Sequence, residues 1–281
     1  MAISGSATKT GRKHEENGEK RGEDRVIVDR GSGIISIFDG HGGSGCAQFL
    51  TANVIQLLDA SLESRELFPY QSTEDKGRNL IENMTEALYE TFETLENNFK
   101  TVAFNSEDTS GACGLIGLVH DEYCIIAHAG DCRAIFQHIS VRHIGPFKLR
   151  SNKPIQITED HKCDSGKERE RIQEAGGSLE HGRILSLAPS RTIGDWDVKT
   201  LAPDVILSSP EINHFSVNGP AIMIIATDGV WDGVSNREAM EIVEKVLKLD
   251  PGNVDAAAAR LVHEASRRTK DDVSAIVVLW D

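Results

Sequence analysis

Five separated segments of this 281-residue chain set an aspartate or glutamate against the end of a hydrophobic run: Glu23 and Asp24, Asp39, Asp131, Asp228 with Asp232, and Asp271 with Asp272. Oxygen donors in that number, with no Cys-x-x-Cys pair or His cluster to compete, suit hard divalent cations such as Mg²⁺ or Mn²⁺. Any one of these acids alone reads equally well as a turn residue. Five sharing one design predict that they meet. Gathered without cations, the carboxylates would raise one another's pKa and strain the fold, so the ions would be structurally as well as chemically required. The densest piece is Asp39-Gly-His-Gly-Gly43. Gly40 leaves room for its own carbonyl to approach an ion, and His41, which titrates near neutrality, stands beside the acid.

Elements must deliver these groups. Residues 34–38, Ile-Ile-Ser-Ile-Phe, are mostly β-branched or apolar and read as a buried strand ending at Asp39. Residues 44–58 place Leu50, Val54 and Leu58 four apart, the spacing of a helix packed back on that strand. Glu23 and Asp24 open a strand running through Val28, on which adjacent acids would point to opposite faces, so that only one faces a given site directly. A long helix is predicted over 76–99, with Leu80, Met84, Leu88, Phe92 and Leu95 on one stripe. Strands at 112–119, 123–128 and 133–139 are close enough to form an antiparallel meander. Residues 140–157 read as an exposed basic loop. Ser165 and Glu168 have the form of a capping box before a short helix stopped by Gly176 and Gly177, and Ser235 with Glu238 opens another. The stretch 179–210 has no periodicity and reads as a functional flap. Residues 221–227 form a buried strand ending at Asp228, a last helix carries Val254, Ala258, Leu261 and Ala265, and a closing strand covers 273–279.

Composition narrows the function. The length suits a single domain. A formal charge of -14 argues against nucleic acid or an anionic membrane as a general partner. No apolar run reaches the roughly 20 residues of a membrane span, the N-terminus lacks a signal-peptide core, and five cysteines form an odd set suited to reduced thiols, so an intracellular protein, cytoplasmic or nuclear, is expected. The run from Asp228 to Gly233 is a poor calcium loop: Val230 and Ala239 occupy the third and twelfth positions, where ligands are needed. Neither a P-loop nor a Gly-x-Ser-x-Gly elbow occurs.

The ordered set Glu23-Asp24, Asp39-Gly-His-Gly-Gly43, Gly130-Asp-Cys-Arg133, Asp160-His-Lys162 with Glu170-Arg-Ile-Gln-Glu-Ala-Gly-Gly177, Ser186-Leu-Ala-Pro-Ser-Arg-Thr-Ile-Gly-Asp195, Asp228-Gly-Val-Trp-Asp232 and Asp271-Asp-Val-Ser274 covers nearly the whole chain. It resembles the metal-dependent serine/threonine protein phosphatases of type 2C, the PPM family. The resemblance implies an α+β fold, a four-layer αββα sandwich of two mainly antiparallel sheets flanked by helices. It further implies that Asp39 bridges two metals, that Glu23 and the Gly40 carbonyl complete one site, and that Asp228 and Asp271 complete the other. Asp131 and Asp232 would help hold a weaker third ion, Asp24 would act from behind the ligands, and His41 would be the general acid. Two cations that share a water lower its pKa and aim it in line at phosphorus, and a protonated His41 would serve the alkoxide leaving group.

Departures from the family pattern are specific. The arginine expected four residues before Glu23 is here Glu19, so Arg12, across a lengthened loop, is the preferred phosphate-binding residue, with Arg21 the other candidate. Asp272 replaces a common asparagine, and Gly111-Ala-Cys113 departs from Gly-Ser/Thr-Thr. Expected partners are phosphoproteins, with no nucleic acid or membrane and a monomeric state. The competing readings are a catalytically weak phosphatase-like scaffold and a two-metal phosphodiesterase.

Overall fold

The computed structural model describes residues 2–12, 22–65, 74–120, 122–139, 142–144, 147–149 and 153–281. Two antiparallel sheets form its centre. In the first, β1 (Ala2–Lys9), β13 (Val273–Trp280), β12 (Ala221–Ala226), β6 (Arg133–His138) and β9 (Ile155–Gln156) lie in that order. In the second the order is β11 (Glu211–Ser216), β5 (Tyr123–Ala129), β4 (Gly111–His120), β3 (Ile34–His41) and β2 (Arg25–Asp29), with the two-residue β10 (Ile193–Gly194) also pairing with β4. A separate hairpin joins β7 (Arg142–Ile144) to β8 (Phe147–Leu149).

Side-chain parity explains the layers. Successive strand residues face opposite ways. On β3, Ile34 and Phe38 pack against helices α1 (Gly45–Ser64) and α2 (Glu74–Ser106), while Ile35 and Ile37 face the other sheet. On β12, Ile222, Ile224 and Ala226 meet helices α6 (Asn236–Leu249) and α7 (Val254–Ser266), while Met223 and Ile225 point into the gap between the sheets. Three apolar layers result, one under each helix pair and one between the sheets, and the αββα expectation holds. A fourth, small cluster of Cys163, Ile172, Ile184, Leu187, Val198, Val205 and Ile206 organises the stretch 179–210 beside helices α3 (Gly166–Glu174) and α4 (Trp196–Leu201).

Four expectations need correction. Glu23 and Asp24 precede β2 instead of lying on it, so strand alternation does not decide where they point. The predicted meander breaks at β6, which crosses to the other sheet and pairs with β12 and β9: spacing alone cannot distinguish a hairpin from a strand that changes sheets at Gly130. The described part of 140–157 holds β7, β8 and β9 and is not one open loop. Ser165 caps α3 without a side-chain hydrogen bond, and the Glu168 carboxylate does not reach back to it, being engaged by Arg171, Arg191 and the Ser190 hydroxyl. The Ser235 cap forms as expected, accepting from the Glu238 N–H.

Candidate metal centre

Strand register carries the acids to one end of the sandwich. Arg25 pairs with Phe38, which puts Asp24 level with Asp39. Asp39 pairs with Cys113, and Gly114 with Ala129, so the β5 turn bearing Asp131 arrives at the same edge. Across the gap, Ala226 faces Arg133 on one side and Ala275 on the other. Asp228, in the one-turn helix α5 (Asp228–Trp231), and the Asp271-Asp272 pair before β13 therefore lie at that end too. Asp39 continues the parity of Ile35 and Ile37 and points between the sheets.

Electrostatics reports the convergence. Burial lifts the Asp39 pKa well above its usual value, and the charges of Asp24, Asp228, Asp131 and Asp271 lift it further. Asp228 is pushed up to about 7 by burial and by Asp131, Asp271 and Asp232, with Lys162 opposing. Burial also raises Asp24 to about 7, against a Ser274 hydrogen bond. The bridging, second-site and third-ion acids of the sequence reading are thus within electrostatic reach of one another, and the first-site Glu23 acts on the adjacent His41. Among the described residues, no three His, Cys, Asp or Glu side chains are drawn together tightly enough to hold an ion as they stand. The acids share a pocket without forming a closed cage.

The pocket suits a hard cation on three counts. Its donors are oxygens. Asp24 is buried with Oδ2 accepting from the Thr227 hydroxyl at 3.1 Å, while its Oδ1 lacks a protein partner, a costly state for an isolated buried carboxylate oxygen. One cation is already present: Lys162 Nζ lies 3.4 Å from Asp131 Oδ2. The Cys113 thiol donates to the other Asp131 oxygen at 3.1 Å.

The backbone around these acids is tightly specified. A Cβ on Gly40 would sit 2.8 Å from the Glu23 carbonyl oxygen, and one on Gly229 would overlap the carbonyl of Asp272. The Glu23 side chain accepts from the Gly43 N–H at 2.6 Å. Asp272 accepts from the backbone N–H groups of Gly11 and Glu23, each at 2.6 Å. It ties the N-terminal strand and the Glu23 segment to the closing strand, a role that its replacement of asparagine did not disclose. Arg12 reaches the same corner, with Nη2 3.2 Å from the Thr269 carbonyl and its guanidinium exposed beside the Asp271 segment. Glu19 and Arg21 lie outside the described residues.

His41 has a partner that sequence reasoning did not assign. Its Nε2 lies 2.9 Å from both carboxylate oxygens of Asp195, which the irregular stretch 179–210 carries into the site. Burial pulls the His41 pKa down, but the Asp195 hydrogen bond and charge, with Asp131 and Glu23 behind them, outweigh it and leave the value raised. The signal available in the sequence was an acid directly after Gly194 at a helix start, where a capping role is the ordinary explanation. The structure gives Asp195 no such side-chain cap bond.

Comparison with known proteins bears on the family and the fold. A family model described as protein phosphatase 2C matches residues 10–274. A probable protein phosphatase 2C 2 of Oryza sativa subsp. japonica is 30% identical over 258 residues, 87% of this chain and 60% of that protein. Protein phosphatase 1L of Bos taurus is 28% identical over 251 residues, 87% of this chain and 63% of that protein. The chain therefore spans about 60% of the length of these relatives. Among solved structures, a serine-threonine phosphatase 2C from Toxoplasma gondii superposes with a TM-score of 0.74 at 22% identity, covering 99% of this chain and 94% of that one. A sex determining protein of C. elegans superposes at 0.73 and 19% identity, covering 99% and 64%. The structural matches speak for the fold alone, but with a family model running almost from end to end, the chain belongs to the protein phosphatase 2C family.

Proposed function

We propose that this chain is a divalent-metal-dependent phosphatase that hydrolyses phosphoserine and phosphothreonine in proteins. The observation that carries the reading is the convergence on Asp39 of Asp24, Asp131, Asp228 and Asp271, contributed by separate segments at one end of the sandwich. Glu23, Asp39 and the Gly40 carbonyl would hold one ion and Asp39, Asp228 and Asp271 the second, with Asp131 and Asp232 available to a third. Bound there, Mg²⁺ or Mn²⁺ supplies a water of lowered pKa and neutralises charge on the phosphoryl group. Asp24 fixes the pocket from behind, hydrogen bonded to Thr227. Lys162 balances part of the charge of Asp131 and Asp228. Arg12, exposed and bonded to the Thr269 carbonyl near Asp271, would grip the substrate phosphate. His41 would protonate the departing seryl or threonyl oxygen, which leaves poorly as an alkoxide.

The remaining features favour a protein substrate over nucleic acid. The chain carries a net charge of -14, unfavourable for approach to a polyanion. No helix among the described residues is long and apolar enough to cross a membrane, and the five cysteines are free and buried, as suits a reducing, intracellular setting. The test is phosphate release from a phosphothreonine peptide with Mn²⁺, after EDTA treatment, and beside a nucleic-acid control. Release that requires Mn²⁺ and is confined to the peptide is expected. Release that survives chelation, or hydrolysis of the nucleic acid alone, would overturn the reading.

A further inference from the structure

We infer that Asp195 is a positioning residue that holds His41 by Nε2 and thereby assigns proton delivery to Nδ1. The inference rests on the phosphatase reading above and adds the group that aims its acid.

The three-strand register builds the contact. His41 on β3 pairs with Gly111 on β4, and Gly111 pairs in turn with Gly194 on β10. Residue 111 thus lies between the histidine and the segment that carries Asp195. Its missing side chain is the opening: a Cβ there would coincide with the Asp195 carboxylate. Through that gap both oxygens reach His41 Nε2 at 2.9 Å. The carboxylate is nearly sealed, its side chain 4% exposed against 30% for His41. A buried carboxylate is tolerated where it is paired, and the imidazole is the partner at hand.

Asp195 is held in place by several constraints. It sits in left-handed backbone at φ 53°, unfavourable for a residue with a side chain. Its N–H donates to the Ser110 carbonyl at 3.2 Å, and its carbonyl accepts from the Lys199 N–H at 2.9 Å. The preceding Gly194 N–H donates to Glu96 Oε2 at 2.8 Å, and Glu96 is itself locked to the Lys199 ammonium in a buried pair. A strained conformation fixed from both sides suits a residue whose exact placement matters.

The chemical consequence is definite. With Nε2–H donated to Asp195, the transferable proton sits on Nδ1. As the new bond from the water oxygen to phosphorus forms and the phosphorus–oxygen bond to serine or threonine breaks, the Nδ1 proton passes to the departing oxygen. The ring is left neutral with its hydrogen on Nε2, the tautomer that Asp195 already holds. This is the arrangement by which a buried carboxylate orients a catalytic imidazole.

Asp195→Asn tests it on two substrates at saturating Mn²⁺. A phosphothreonine peptide needs its leaving oxygen protonated, whereas para-nitrophenyl phosphate releases a stable anion. The variant should lose on the order of 10²-fold in kcat on the peptide and far less on the aryl ester, His41→Gln should show the same split, and the double variant should fall no further than either single one. Equal loss on both substrates, or no loss on the peptide, would overturn the inference. Gly111→Ala, whose methyl displaces the carboxylate, should reproduce the split if Asp195→Asn fails to fold. A second readout needs no turnover: at a pH alkaline enough for the His41 ring to be neutral, its ¹⁵N shifts in the metal-free protein should report the Nε2–H tautomer in the wild type and a redistribution in Asp195→Asn. A wild type inactive on both substrates would refute the phosphatase reading, while an Nδ1–H tautomer would refute the dyad by itself.

Discussion

Removing divalent ions should destabilise the protein most strongly at alkaline pH. Asp24 and Asp228 are each lifted from 3.8 to about 7, first by burial and then by neighbouring acids. Groups raised in the folded state contribute stability that is fully present below the unfolded value near 3.8 and is lost as the pH climbs through about 7. At 1.36 kcal/mol per pKa unit, keeping one such carboxyl ionised in the folded, metal-free chain costs roughly 4 kcal/mol, a large part of a typical total of about 5–15 kcal/mol. With about 2–4 °C of Tm per kcal/mol for a chain of this size, chelation at pH 8 should lower Tm by roughly 10 °C or more. At pH 5 only about a third of the penalty has accrued. His128, lowered by burial, and His161, lowered to about 3 by burial and its stacked neighbour His128, act oppositely and destabilise the fold as pH falls below their ordinary value. The quantity to read by scanning calorimetry is therefore the Tm difference between Mn²⁺-loaded and EDTA-treated protein, in which these histidines cancel. It should widen from pH 5 to pH 8. Asp39→Asn, relieved of the central charge, should melt above wild type in EDTA at pH 8 and gain little from Mn²⁺. A gap that is flat or narrows with pH would refute the reasoning.

Arg12→Ala should raise KM for a phosphothreonine peptide about tenfold or more while leaving Tm within a degree or so, because its guanidinium is exposed and makes one backbone contact; unchanged steady-state kinetics would remove it as the phosphate ligand. Lys199→Met strips the buried Glu96 of its ammonium and should cost about 3–5 kcal/mol in urea denaturation; a loss below about 1 kcal/mol would show that Glu96 finds other compensation. Gly229→Ala places a methyl on the Asp272 carbonyl and should cost roughly 3 kcal/mol or more while weakening Mn²⁺ affinity, because the closing strand carries Asp271; calorimetric titration showing wild-type affinity would contradict that coupling.

The legible and illegible parts of this chain differ for physical reasons. Asp39 could be placed because β3 is a strand of strict parity, apolar before the acid except at Ser36, and Leu50, Val54 and Leu58 fall on the buried side of α1 because helical spacing leaves no other face. The family pattern then named the other acids. The change of sheet at β6 was hidden, since a glycine turn followed by a strand reads alike whether the chain folds back or crosses over. Ser165 and Glu168 matched a capping pattern, yet Glu168 is drawn to two arginines and a serine, and its pKa falls to about 2: burial raises it, and Arg191, Arg171 and Ser190 more than reverse that. Asp195 was least accessible, because its function depends on a left-handed residue in a stretch without periodicity and on a glycine 84 positions earlier in the chain.

Anomalous scattering from Mn²⁺-soaked crystals tests the central claim most directly, because it reads where ions sit without reference to turnover. The account predicts two manganese peaks sharing Asp39, one also bound by Glu23 and the Gly40 carbonyl, the other by Asp228 and Asp271. Manganese absent from Asp39 at saturating concentration, or bound only at some other group of acids, would contradict it.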